Sequence, residues 1–157
     1  MKWRDWLANW GLDSLKINIK FLEMEWKPQV VDRNAAWDLY IELLTRIATQ
    51  PLPREHGDEQ AALDSVHKLF ELTRDILHKH GPGCGVFAKV AIPVLNQIIR
   101  PFTAKWHRLS ITGAFQDAAK CKDFRDELEA LQIKLQHYTQ ALAKMANVED
   151  LTKLETT

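Results

Sequence analysis

Only two cysteines, Cys84 and Cys121, occur in 157 residues, too few for a disulfide framework, so a reducing cytoplasm is the expected setting. No charge of one sign prevails: 21 Lys and Arg stand against 21 Asp and Glu, which argues against a dedicated nucleic-acid binder. The longest uncharged stretch of the central region, 90–99, falls far short of the ~20 residues that span a bilayer, so no membrane partner is expected. No secretory leader is expected either, because Arg4 and Asp5 interrupt the segment from Trp3 to Trp10. Catalytic signatures are scarce. There is no Gly-x-Ser-x-Gly nucleophile elbow and no Glu-x-x-His of the kind a di-iron bundle needs, and neither cysteine has a partner at zinc-ligand spacing. Neither a cofactor nor a metal is therefore expected.

What is present is enough apolar residue, 46%, for one domain that buries roughly 70% of its unfolded surface. Glycine and proline, six of each, divide the chain at Pro28, at Pro51 through Gly57, at Gly81 through Gly85 and at Gly113. Between these marks the spacing predicts four helices. The first, 34–50, takes Asp32 or Asn34 as its cap, stops at Pro51 and buries Ala36, Tyr40, Leu43 and Ile47, with Trp37, Ile41 and Leu44 widening the stripe. The second, 58–80, starts at Asp58 and buries Ala62, Leu63, Val66, Leu69, Phe70, Thr73, Ile76 and Leu77. The third, 86–109, contains Pro93 and Pro101 and is expected to kink or split. The fourth, 117–146, alternates steps of three and four through Cys121, Phe124, Leu128, Leu131, Leu135, Tyr138, Leu142 and Met145, a bundle seam. Short connections favour antiparallel neighbours, so the fold class expected is all-α, an up-down four-helix bundle over 28–147 with a C-terminal tail, 148–157.

Residues 1–27 read as an N-terminal arm. Trp3, Trp6, Leu7 and Trp10 line one face of a short helix ended by Gly11. Leu15, Ile17, Ile19 and Phe21 then alternate with polar residues, the period of a β-strand, and Leu22, Met24 and Trp26 continue it out of phase. A helix through Leu15, Ile19, Leu22 and Trp26 fits the other period. A two-turn helix cannot bury a tryptophan stripe within itself, and a lone strand needs a pairing edge. The arm either docks on its own bundle or offers Trp3, Trp6, Trp10, Ile17 and Ile19 to another protein chain by strand addition or helix docking.

Charge is unevenly placed. From 81 to 116 there is no Asp or Glu, while Lys89, Arg100, Lys105 and Arg108 give +4. Either these cations gather near a helix C-terminus, where the dipole favours them, or Arg100, Lys105, Trp106, His107 and Arg108 form a patch for an anion or an acidic partner. His78 and His80 diverge by ~200° on a helix and cannot share an ion, whereas Asp64 and His67 share a face. Asp123, Asp126 and Glu129 read as a solvated face opposite the seam. Gly81-Pro82-Gly83-Cys84-Gly85 precedes a helix but lacks the Lys-Ser/Thr pair of a phosphate-binding loop, and reads as a turn.

Arg100 and His107 enclose six residues, and Arg74 and His80 enclose five. Both spacings are similar to the Arg-x(4–6)-His motif of HEPN ribonucleases, themselves small all-helical domains. The resemblance implies metal-independent RNA cleavage, with the Arg stabilising phosphate charge and the His moving a proton. The wording from Ala35 to Arg46, together with Arg100-Pro101-Phe102-Thr103-Ala104-Lys105-Trp106-His107, resembles small helical domains of bacterial conflict and antiviral-defence proteins without assigned activity. The function expected is a protein–protein interaction module, an adaptor, regulator or oligomeric scaffold, with the ribonuclease as the alternative.

Overall fold

The computed structural model describes residues 1–46, 50–52 and 58–154. Ile47 of the expected first stripe and the Pro53 to Gly57 part of the expected turn lie outside them. The described residues form an all-α helical bundle. Seven α-helices run in the order α1 (Trp3–Asn9), α2 (Ile19–Leu22), α3 (Val30–Leu44), α4 (Glu59–His80), α5 (Gly85–Val94), α6 (Arg100–Ile111) and α7 (Ala118–Ala146). Within the bundle α3 packs most extensively on α7, and α4 packs on α3 and α6.

Local chemistry explains most boundaries. Asp58 accepts from the Ala61 N–H at 3.0 Å and Asp117 from the Ala119 N–H at 2.9 Å, capping α4 and α7 at their exposed first turns. Asn147 closes α7 in the left-handed conformation, φ 58°. The first long helix starts at Val30 rather than Asn34, because Asp32 acts from inside the first turn. Its Oδ2 accepts the Gln29 N–H at 2.7 Å, and its Oδ1 accepts the Phe87 N–H at 3.0 Å, pinning α3 to α5 with a buried carboxylate. Of the two prolines expected to kink or split the third helix, Pro93 sits inside α5, and the irregularity lies just before Pro101. Between α5 and α6, residues Leu95–Ile99 form a π-helical turn. Pro101 has no N–H for the carbonyl four residues back and its ring would strike that carbonyl, so the wider turn relieves both conflicts. The stretch Glu59–Ile111 is long and apolar enough to cross a membrane by length and composition, a property shared with helices at the heart of soluble bundles.

The arm departs from its expected strand. No strand occurs among the described residues, only an isolated antiparallel bridge between Lys2 and Glu25, with Trp3 N–H on Met24 O at 2.9 Å and Trp26 N–H on Met1 O at 2.8 Å. Ile19–Leu22 make one helical turn capped by Asn18, whose Oδ1 accepts the Lys20 N–H at 2.9 Å. The backbone at Lys16, outside any helix, pairs with a side chain instead of a strand: its N–H donates to Gln97 Oε1 at 2.7 Å, and Gln97 Nε2 donates to its carbonyl at 2.8 Å. A primary amide offers the same donor and acceptor as a peptide group, so the demand for a pairing edge is met within the chain.

Trp3 and Trp6 are only 2% and 1% exposed and join Leu7, Leu12 and Leu15 in the same hydrophobic cluster as the bundle core. Their rings meet edge to face at 5.8 Å, Trp6 stacks on Trp26 at 4.9 Å, and Trp3 lies against Phe21 at 4.6 Å. Gly11 turns the chain after α1 at φ 67° and approaches α7 so closely that a Cβ there would sit 2.5 Å from His137 Nδ1. At the other end, the Tyr40 hydroxyl accepts the Leu151 N–H at 2.7 Å and donates to the Glu149 carbonyl at 3.2 Å, tying the start of the C-terminal tail to α3.

Candidate functional site

The residues picked out on α6 separate into two groups. Trp106 is buried, and its indole N–H donates to Glu127 Oε2 at 2.7 Å, while Lys105 pairs with the other oxygen of Glu127. These two residues tie α6 to α7. Arg100, His107 and Arg108 are exposed. Arg100 donates twice to Asn96 Oδ1, at 3.2 and 3.1 Å, and its guanidinium lies 4.8 Å from the Phe70 ring centre. Arg100 and His107, seven residues apart on one helix, share a face but stand ~10 Å apart along the axis. Arg74 and His80 diverge by ~120° on α4, and the His80 ring is held by Asp38 at 2.7 Å. The fold brings neither Arg/His pair to one point.

The remaining candidates have structural partners. Cys84 is buried with its thiol donating to Gly81 O at 3.2 Å, and burial, with the Asp32 charge nearby, raises its pKa. Cys121 donates to Phe115 O at 3.3 Å, and burial raises its thiol too. The Tyr138 phenol, fully buried on α7, is pushed above its ordinary range by desolvation. Gly81–Cys84 form a 3₁₀ turn. Asp64 receives a hydrogen bond from Gln60, and His67 lies against Phe70. Asp123, Asp126 and Glu129 face solvent, Asp126 paired with Lys122 at 2.9 Å. Among the described residues no group of three His, Cys, Asp or Glu could hold a metal ion. In the arm, Trp3 and Trp6 are inside, Trp10 and Ile17 are half-buried, and only Ile19 of the five expected contact residues is exposed.

A different surface emerges between α3 and α4. A groove of about 330 Å³ has Trp37, Ile41, Leu72 and Ile76 along its floor and Asp38, Glu42, Asp75 and Lys79 at its rim. The sequence spacing had placed Trp37 and Ile41 in the buried stripe, but the structure turns them outward, 43% and 37% exposed, with Val30 of the same face at 67%. Ala35, Ala36, Leu39, Tyr40 and Leu43 take the inward face. α3 therefore carries apolar residues on both sides. That pattern was visible in the sequence as a stripe too wide for one face. Asp38 organises one end of the groove: its Oδ2 receives His80 Nε2 at 2.7 Å and Lys79 Nζ at 3.1 Å. Burial alone would raise the Asp38 carboxyl, but the hydrogen bonds from His80 and Lys79 outweigh it and hold the group below its ordinary range.

That depressed value has a testable sign. A carboxyl whose pKa is lower folded than unfolded binds fewer protons in the native state, so its stabilisation is complete above the unfolded value, about 3.9, and is lost as pH falls through the folded one. Thermal denaturation should therefore show the melting temperature falling on acidification below about pH 4, with a smaller fall in Asp38→Asn. Equal falls in both proteins would contradict the assignment.

Comparison with known proteins finds no matching family model, no similar curated protein and no similar solved structure.

Proposed function

We propose that this chain is a cytoplasmic protein–protein interaction module, an up-and-down four-helix bundle that binds a partner in the groove between α3 and α4. One observation supports this reading above the others: the outward side of α3 carries two exposed apolar residues, Trp37 and Ile41, that line the groove. Arg33 and Asn34 share the exposed side of α3, and an exposed tryptophan flanked by apolar and charged side chains is the composition of an interface anchor. The arm, whose tryptophans pack against the bundle, serves the fold that presents the groove.

A photo-crosslinking amino acid placed at Trp37, and in a second version at exposed Lys134 on α7, tests the reading in the source cells. A discrete protein adduct at position 37 and none at 134 is the expected result. No adduct at either position would overturn it.

A further inference from the structure

Among the described residues nothing covers the groove, and the same chain carries a surface of complementary chemistry. α6 lies in the stretch from 81 to 116 that has no acidic residue. Its outward face presents Arg100, Ala104, His107, Arg108 and Ile111 within an arc of ~100°. Ile111 is 73% exposed at the end of this helix. Arg108 stands one turn before it, so the two project side by side. The groove offers the converse, an apolar floor under a rim with three carboxylates, Asp38, Glu42 and Asp75, against Lys79. Asp38 is already held by Lys79 and His80 and Glu42 by Arg46, whereas the Asp75 carboxylate makes no ion pair among the described residues.

We propose that a second copy of this chain fills the groove, its Ile111 seated on the floor formed by Trp37, Ile41, Leu72 and Ile76 and its Arg108 against Asp75. This rests on the reading of the groove as the binding site. Two copies that insert Ile111 reciprocally close as a two-fold dimer, whereas copies engaged head to tail leave a free groove at one end and a free Ile111 face at the other, and repetition builds a ring or an open filament. Part of the attraction is between exposed charges, so salt weakens it.

Light scattering after size exclusion, on the full chain across concentration and ionic strength, tests the contact. The wild type should exceed the single-chain mass of 18.2 kDa at low salt, increasingly so with concentration, and fall toward it in molar salt. Ile111→Asp and Asp75→Arg should each stay at the single-chain mass. Both positions are exposed, so circular dichroism and the melting temperature should match the wild type. Mixed, the two variants should form a one-to-one pair and nothing larger, because each keeps the half that the other lacks. Arg108→Asp added to Asp75→Arg should restore assembly. Assembly of Ile111→Asp like the wild type, or a mixture that stays at the single-chain mass, would overturn the proposal. A wild type that stays monomeric while position 37 still cross-links to a different protein would overturn this proposal and leave the groove reading standing. Monomer with no adduct would remove both.

Discussion

A chain that starts at Pro28 should lose its cooperative thermal transition. The deletion removes Trp3 and Trp6, which are almost completely buried, together with Leu7, Leu12 and Leu15 of the same cluster. Removing one buried tryptophan ring costs about 3–5 kcal/mol, and a domain of this kind has about 5–15 kcal/mol in total, so two rings and three leucines exceed what most such domains can lose. The deletion also leaves the Gln97 amide without the Lys16 backbone it pairs with and removes the contact of Gly11 with α7. Circular dichroism should show helical signal without a sharp melt, and exposed apolar surface should bind a hydrophobic dye. A truncated chain that melts cooperatively at the full-length temperature would show that the arm is an appendage and not part of the core.

The second large effect is expected at Asp32. Its carboxylate is 1% exposed and accepts two backbone N–H groups from different elements, Gln29 at the start of α3 and Phe87 in the first turn of α5. Hydrogen bonds to a charged acceptor contribute about 1.5–3 kcal/mol each, and a buried donor left alone adds its own desolvation cost. Part of this is returned because Asp32→Ala also removes the cost of burying a charge, so a loss of about 2–4 kcal/mol in chemical denaturation is expected. Asp32→Asn keeps one acceptor oxygen and should fall between. Asp117→Ala, which removes an exposed cap, should cost only about 1 kcal/mol. If the two alanine variants lose the same amount, Asp32 is an ordinary cap and the bridge to α5 contributes nothing.

These two effects mark where reading the residues in order succeeds. Helices 58–80 and 117–146 were legible almost to the residue, because an exposed Asp cap and a three-four apolar rhythm act within a few residues of each other. The irregularity ahead of Pro101 was legible for the same reason, whereas Pro93 is accommodated inside α5. The role of Asp32 was only half legible. A cap at the start of α3 follows from its position, but its second acceptor bond goes to an N–H 55 residues away. The candidate site was the least legible part. The Arg100–Arg108 cluster stands out in the sequence as a charge pattern, yet nothing local to it shows that Lys105 and Trp106 turn to Glu127 while Arg108 turns to solvent.

Local spacing settled the long helices of the bundle, with the strongest seam on the last, because backbone hydrogen bonding and apolar rhythm in a helix depend on residues three and four apart. It did not settle the arm, whose alternation predicts a strand that does not occur among the described residues. The tertiary structure alone decided which side of α3 faces inward, since a helix with apolar residues on both sides has no unique buried face until its neighbours choose one. It also decided the fate of 15–26. That segment matches two periods equally; in the fold its Lys16 backbone pairs with an amide 81 residues further along the chain and Ile19–Leu22 take one helical turn. Burial of the tryptophans and exposure of Trp37 were set together by that packing: the core could enclose Trp3 and Trp6, and the outward side of α3 was left to solvent or to a partner.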